Sequence, residues 1–177
     1  MPRFNMRPFV ILALPRTGTK MLVDAISSHP DIPDITHEFR GTEEEFRQHP
    51  YILSNWLEDW MEDVTKIHVY REDAIAGAKS LMMMSYQFPD GVCELPASEV
   101  LAVAERRREF DREFSESTQN IFSYEGICGG REISKLPDWF TATFCKIVGV
   151  PDGPMTTGSK KPKKFILKNE DEINCLA

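Results

Sequence analysis

Six consecutive apolar residues, Phe9 to Leu14, are followed at once by a proline, an arginine and a single glycine set between two threonines. A continuous apolar run of this length predicts a strand buried on both faces, which puts residues 8–14 in the middle of a parallel sheet. From Thr19 to Ser28 the apolar Met21, Leu22, Ala25 and Ile26 recur at helical spacing, and His29-Pro30 ends the helix. The unit is therefore strand, tight turn, helix. In such a unit the N–H groups of the turn and of the first helical turn converge, and the helix dipole adds positive potential where they meet. Gly18 permits close backbone approach, Thr17 and Thr19 carry hydroxyl donors, and Arg16 can grip phosphate or sulfate oxygens in pairs. The nucleoside-triphosphate loop needs a glycine ahead of its GK step, and no residue of the run before Gly18 is a glycine.

The rest of the chain continues the alternation. A second short strand is expected around Ile35, and one or two helices over 43–62, where Phe46, Leu53, Trp56, Leu57 and Trp60 fall at broadly helical intervals. VTKIHVY, residues 64–70, alternates like a sheet strand and ends at Arg71; Asp73 then caps a helix running to about Tyr86. After a Pro- and Gly-containing loop at 89–98 comes a long charged helix to about Ser117, a strand at 120–124, the Gly129-Gly130 turn and a helix over 137–148. With 177 residues and no composition break, one domain spanning 1–177 is predicted, an α/β fold with a mainly parallel sheet.

With its flanks, LPRTGTKML resembles the donor loop of the sulfotransferase family that uses 3'-phosphoadenosine 5'-phosphosulfate. In that family the first strand runs into a proline, a basic residue, a hydroxyl residue, a glycine and two further hydroxyl residues; SSHPDI is similar to the family's continuation after the helix. The resemblance implies a P-loop-like three-layer fold with a short, mainly parallel central sheet flanked by helices. It implies that Arg16 holds the 5'-phosphate and sulfonate, with contacts from Thr17, Gly18, Thr19 and Lys20. Lys20 departs from the pattern, which usually has a hydroxyl residue there; it either adds a charge to the phosphate or points to solvent.

KIHVYREDAIAGAKSLM resembles the family's second element, a strand ending in arginine followed by a helix with a serine. Arg71 and Ser80 stand nine residues apart, and a strand end with a serine two helical turns on is a spacing at which the pair can clasp one phosphate, here implied to be the ribose 3'-phosphate. Sulfonyl transfer needs a base for the acceptor's proton. Family members use a Glu or His near the end of the second strand, which implies Glu38 in ITHEF, with His37 the alternative; neighbours on an extended strand face opposite ways, so one of the two looks into the cleft. Arg16 would also stabilise charge on the departing phosphate. SKKPKKF is similar in composition and location to the family's basic closing loop, which would add Lys160 and Lys161, with Lys163 and Lys164; a solvated lysine tail is the other reading.

Composition sets limits on these readings. The formal net charge of -7 disfavours a nucleic-acid partner while leaving room for one small anionic ligand. Cys93, Cys128, Cys145 and Cys175 form no CxxC pair and no Cys/His cluster, so reduced structural thiols, no bound metal and a cytoplasmic location are expected. No run approaches the roughly 18 apolar residues of a membrane span. Met82, Met83 and Met84 read as core packing, and His29, His49 and His68 show no ligand spacing. The expected activity is sulfonate transfer to a hydroxyl, in preference to an amine, on a small molecule, lipid or glycan, releasing adenosine 3',5'-bisphosphate. The competing expectations are a nucleotide kinase-like phosphoryl transferase and a non-catalytic nucleotide-binding protein of the same fold.

Overall fold

In the computed structural model, which describes residues 5–85, 92–129, 133–158 and 166–175, the first half of the chain forms β1 (Phe9–Leu12), α1 (Thr19–Ser27), α2 (Glu43–Gln48), β2 (Tyr51–Ser54), a 3-10 turn (Asp59–Met61), β3 (Thr65–Tyr70) and α3 (Ala74–Ser85). The second half adds β4 (Val92–Cys93), α4 (Ala97–Ser117), β5 (Ile121–Ser123), α5 (Tyr124–Cys128), α6 (Asp138–Val148), β6 (Ile166–Leu167) and α7 (Glu170–Cys175). Four strands make one all-parallel sheet in the order β2-β1-β3-β5, with Phe9 level with Tyr51 on one side and Thr65 on the other. β4 and β6 pair separately, also in parallel.

β1 reads as a continuous apolar run because both of its faces are covered. Phe9, Ile11 and Ala13 pack against Leu22 and Ile26 of α1 and against Phe140 and Phe144 of α6. Val10, Leu12 and Leu14 face the other way, onto Phe46 of α2 and Phe114 of α4. α3 and α4 also pack on each other through Ala74, Ala78, Val100 and Ala104, a cluster that takes in Ile173 of α7. No helix among the described residues is long and apolar enough to cross a membrane.

Two polar residues tie the sheet to its surroundings. The buried Lys66 ammonium donates to the carbonyls of Met61, Glu62 and Val64 at 2.5, 2.8 and 3.3 Å, which anchors the 3-10 turn to β3; burial pushes its pKa down, against the pull of Asp63 and Glu62. His68, fully enclosed, lies 3.0 Å from Asp111 and 3.1 Å from Ser115, both on α4. The Ser115 hydroxyl donates to the Asp111 carbonyl at 2.7 Å, so these three groups pin α4 to β3 and do not present a free nucleophile.

The helical reading of 43–62 needs correction. α2 stops at Gln48, before His49-Pro50, and Tyr51–Ser54 is instead a sheet strand whose Ile52, Leu53 and Ser54 are buried beside β1. The proline cannot stay in a helix interior, and the short apolar run after it has a strand to pair with. The strand expected around Ile35 reduces to a single parallel bridge, Thr36 to Ile52. α3 is capped as expected, with the Asp73 carboxylate accepting from the N–H of Ala76 at 2.8 Å.

Phe144 is buried where β1, α1 and α6 meet, whereas Trp139 on the same helix is 51% exposed. Phe144→Ala should cost about 3–5 kcal/mol in urea denaturation, and Trp139→Ala at most about 1.5 kcal/mol, because this half-exposed ring loses a tilted contact to Phe122 and an edge contact to Phe140.

Candidate functional site

The chain leaves β1 through a turn in which two residues, Arg16 at φ 67 and Gly18 at φ 68, have left-handed backbone angles. At Gly18 this costs nothing; at Arg16 it is a strained conformation for a side chain with a Cβ. The Thr17 N–H closes the turn on the Leu14 carbonyl at 3.3 Å. Among the described residues no acceptor reaches the N–H groups of Gly18, Thr19, Lys20 or Met21, and α1 has no side-chain N-cap. Left-handed residues alternating with an ordinary one point successive N–H groups into a concavity, which together with the free helix start is an arrangement for an anion. The Tyr124 ring covers Gly18 so closely that any Cβ there would run into it.

Three guanidinium groups converge on this turn. Arg16 Nε donates to Ser80 Oγ at 2.9 Å, and Arg71 Nη1 donates to the Arg16 carbonyl at 3.2 Å. Arg107, which the sequence did not single out, donates from Nη1 to the Pro15 carbonyl at 2.7 Å and from Nη2 to Thr17 Oγ1 at 3.2 Å. Arg71 also lies over the Tyr124 ring at 5.9 Å and 3.8 Å from the Glu125 carboxylate. That spacing makes an ion pair but no hydrogen bond, and Arg71 Nε is buried without a hydrogen-bond partner. Glu125 in turn accepts from the N–H groups of Glu72 at 2.9 Å and Asp73 at 3.5 Å, at the start of α3. Burial pushes the Arg107 pKa down, Asp111 opposes that shift and Arg71 adds to it; burial likewise pushes the Tyr124 phenol up to about 12.

The sheet order explains why these residues meet. From β1 the chain goes first to β2 on one side and then, over β1, to β3 on the other, so the strand order reverses between β1 and β3. In open parallel sheets the crevice at the carboxyl ends of such a strand pair is where ligands bind. Arg16 follows β1 and Arg71 follows β3, so the two arginines and Ser80 meet at that crevice; Ser80 accepts from Arg16 there, whereas the expected clasp paired it with Arg71. Thr17 is buried and turned toward Arg107, so it frames the turn from inside, and Thr19 is buried as well. Lys20 is exposed and pairs with Asp24 at 3.6 Å, one helical turn on.

His37 and Glu38 stand apart from this cluster. Thr36 bridges to Ile52 and the Phe39 N–H donates to the Leu53 carbonyl, so the segment runs along the outer edge of β2, with Glu38 in a left-handed conformation at φ 53. Both residues are exposed and, among the described residues, make no side-chain hydrogen bond or ion pair. β2 lies between them and β1, a separation of two strand spacings, about 10 Å. Beside them a groove of about 490 Å³ is lined by Thr36, Phe39, Arg40, Glu45, Gln48 and His49. Lys160 and Lys161, with Lys163 and Lys164, lie outside the described residues.

Sequence reasoning missed Arg107, Tyr124 and Glu125. Tyr124 and Glu125 directly follow β5, the same strand-end position that drew attention to Arg71. Arg107 lies on α4's buried face with Val100, Ala104 and Phe114, a placement that only the packing of the helix shows.

Gly18 and Gly129 share nearly the same φ, 68 and 62, but a Cβ at Gly129 meets nothing within 4 Å. Gly129→Ala therefore pays the left-handed conformation alone, about 1–2 kcal/mol. Gly18→Ala should cost at least about 1 kcal/mol more in urea denaturation, the added amount measuring the displacement of the Tyr124 ring. No protein-family model, curated protein or solved structure matches this chain.

Proposed function

We propose that this protein is a sulfotransferase that moves a sulfonate group from 3'-phosphoadenosine 5'-phosphosulfate to a hydroxyl, in preference to an amine, on a small-molecule or glycan acceptor. The observation that carries this reading is the convergence of Arg16, Arg71 and Ser80 at the crevice between β1 and β3, linked by hydrogen bonds of 2.9 and 3.2 Å. Two arginines from neighbouring strand ends suit a ligand with two anionic groups better than a single inorganic ion. The sheet, with helices on both faces and a turn between β1 and α1, is compatible with the P-loop-like three-layer fold that the resemblance implies. Cys93, Cys128, Cys145 and Cys175 form no disulfide, which agrees with a reducing compartment such as the cytoplasm.

The donor supplies an activated sulfonate on a phosphate leaving group; the chain's residues bind, orient and take up the proton. Arg16 and the free N–H groups at the start of α1 would hold the 5' end, and Arg71 with Ser80 the 3'-phosphate. Transfer forms the acceptor oxygen–sulfur bond and breaks the sulfur–oxygen bond to the phosphate, whose growing charge Arg16 offsets. The acceptor proton goes to Glu38, or to His37. Glu38 lies beyond the outer edge of β2, so the acceptor would reach it across the end of that strand. A phosphoryl-transferase reading requires a first glycine that the run before Gly18 does not contain. Nucleotide binding without transfer is the second reading, favoured by the exposure of Glu38 and by its lack of a side-chain partner among the described residues.

Adenosine 3',5'-bisphosphate should raise the melting temperature well above the effect of ATP with magnesium, and equal shifts would count against the donor. Arg71→Ala should weaken that nucleotide about 10- to 100-fold, as expected for losing charged hydrogen bonds, while 5'-AMP changes little; an equal loss on both ligands would separate Arg71 from the 3'-phosphate. Glu38→Gln should abolish sulfonate transfer with nucleotide affinity unchanged, and retained turnover would move the base to His37.

A further inference from the structure

Arg107 is only 4% exposed, yet its described hydrogen-bond partners are neutral: the Pro15 carbonyl and the Thr17 hydroxyl. Asp111, one turn further along α4, is held by His68 at 3.0 Å. Glu125, the carboxylate nearest Arg71, is already shared with two backbone N–H groups. Among the described residues, Arg16, Arg71 and Arg107 thus meet at one turn with one carboxylate, Glu125, in ion-pairing distance of any of them. A buried cation without a counter-ion is costly, and burial depresses the Arg107 pKa in keeping with that cost. The cost is not incidental to the packing, because α3 makes room for the guanidinium: a Cβ at Gly77 would lie 2.8 Å from Arg107 Nε and 3.0 Å from its Cζ.

We propose that Arg107 is a positioning residue of the anion turn, and that the counter-charge to its buried guanidinium is the bound ligand itself, a sulfate- or phosphate-like oxyanion. The proposal rests on the anion-binding half of the preceding reading and on none of its chemistry. From the α4 side Arg107 fixes the carbonyl of Pro15 and the side chain of Thr17, the residues on either side of the strained Arg16. It therefore sets the direction of the turn's N–H groups without touching the ligand. The fork of the guanidinium matters, because one group has to hold two acceptors on different residues, and so does its charge, which an oxyanion neutralises across the turn.

The test is calorimetric titration of the folded protein with inorganic sulfate and, separately, with adenosine 3',5'-bisphosphate. Arg107→Met should weaken both by at least tenfold, and Arg107→Lys, which keeps the charge and loses the fork, should fall between Met and wild type. Arg106→Met, which removes the same charge from the exposed face of the same helix, should stay within twofold of wild type. A merely structural arginine would lower the ligand-free melting temperature and leave the affinity of the folded protein unchanged. A Met variant within twofold of wild type, a Lys variant no tighter than Met, or wild-type protein that binds neither probe overturns the assignment. If Arg107→Met does not fold, Gly77→Ala carries the test: it presses on the guanidinium without removing it and should weaken sulfate several-fold, whereas unchanged affinity overturns the proposal. Sulfate binding without adenosine 3',5'-bisphosphate binding defeats the sulfotransferase reading and leaves the Arg107 comparison to be decided on sulfate.

Discussion

The parallel pairing of β1 with β2 and β3 is the constraint on which the rest of the structure depends. Parallel strands point all their carboxyl ends to one edge, and a sheet covered by helices on both faces leaves that edge as the place where polar groups can gather without being buried unpaired. Because β1 is central and its neighbours are reached in opposite directions, the residues that follow β1 and β3 come out side by side. Arg16 and Arg71 owe their proximity to this topology: 55 positions apart in the chain, they are joined by a hydrogen bond from one guanidinium to the other residue's carbonyl.

Once the edge is formed, its charges do not balance locally. Among the described residues one carboxylate, Glu125, ion-pairs with one of the three arginines, Arg71, and another of the three, Arg107, is enclosed between α3 and α4. Burying a cation among neutral partners weakens a fold unless something else offsets it, and the apolar contacts around α4 do so here: Val100 and Ala104 on one side of Arg107, Phe114 on the other. α4 thereby touches three regions, the α3 packing cluster, the underside of the turn and the sheet through His68.

How far this was legible in the sequence follows from which interactions are local. The strand, turn and helix around Gly18 were readable because burial on both faces leaves a continuous apolar run and because the turn's residues are adjacent. Arg71 and Ser80 stood out through the resemblance of KIHVYREDAIAGAKSLM to a known strand, arginine, helix and serine element, with a spacing that strand and helix geometry allow. β2 was not, since a four-residue strand carries too little periodicity to be told from the end of the acidic helix before it; only its pairing with β1 decides. Arg107 was hidden for the opposite reason. It sits in an Arg106-Arg107-Arg108 run that reads as a solvated face, and only the tertiary placement of α4 shows that the middle arginine points inward while its neighbours are exposed.

The left-handed angle at Arg16 also gives the missing triphosphate-loop glycine a physical meaning. A glycine-rich phosphate loop lets its backbone fold around the ligand by removing side chains from the strained positions. Here one of the two strained positions keeps a side chain, and that side chain is a cation. The conformation costs about 1–2 kcal/mol, and the bond from Arg16 to Ser80 returns about 1 kcal/mol of it. The remainder is small enough for the two hydrogen bonds from Arg107 on either side of Arg16 to hold the turn in place. A turn built this way surrounds an anion less completely with backbone N–H groups than a glycine-rich loop does, but it brings a guanidinium to the point of closest approach. The exchange replaces backbone N–H donors with one side-chain cation at the same turn.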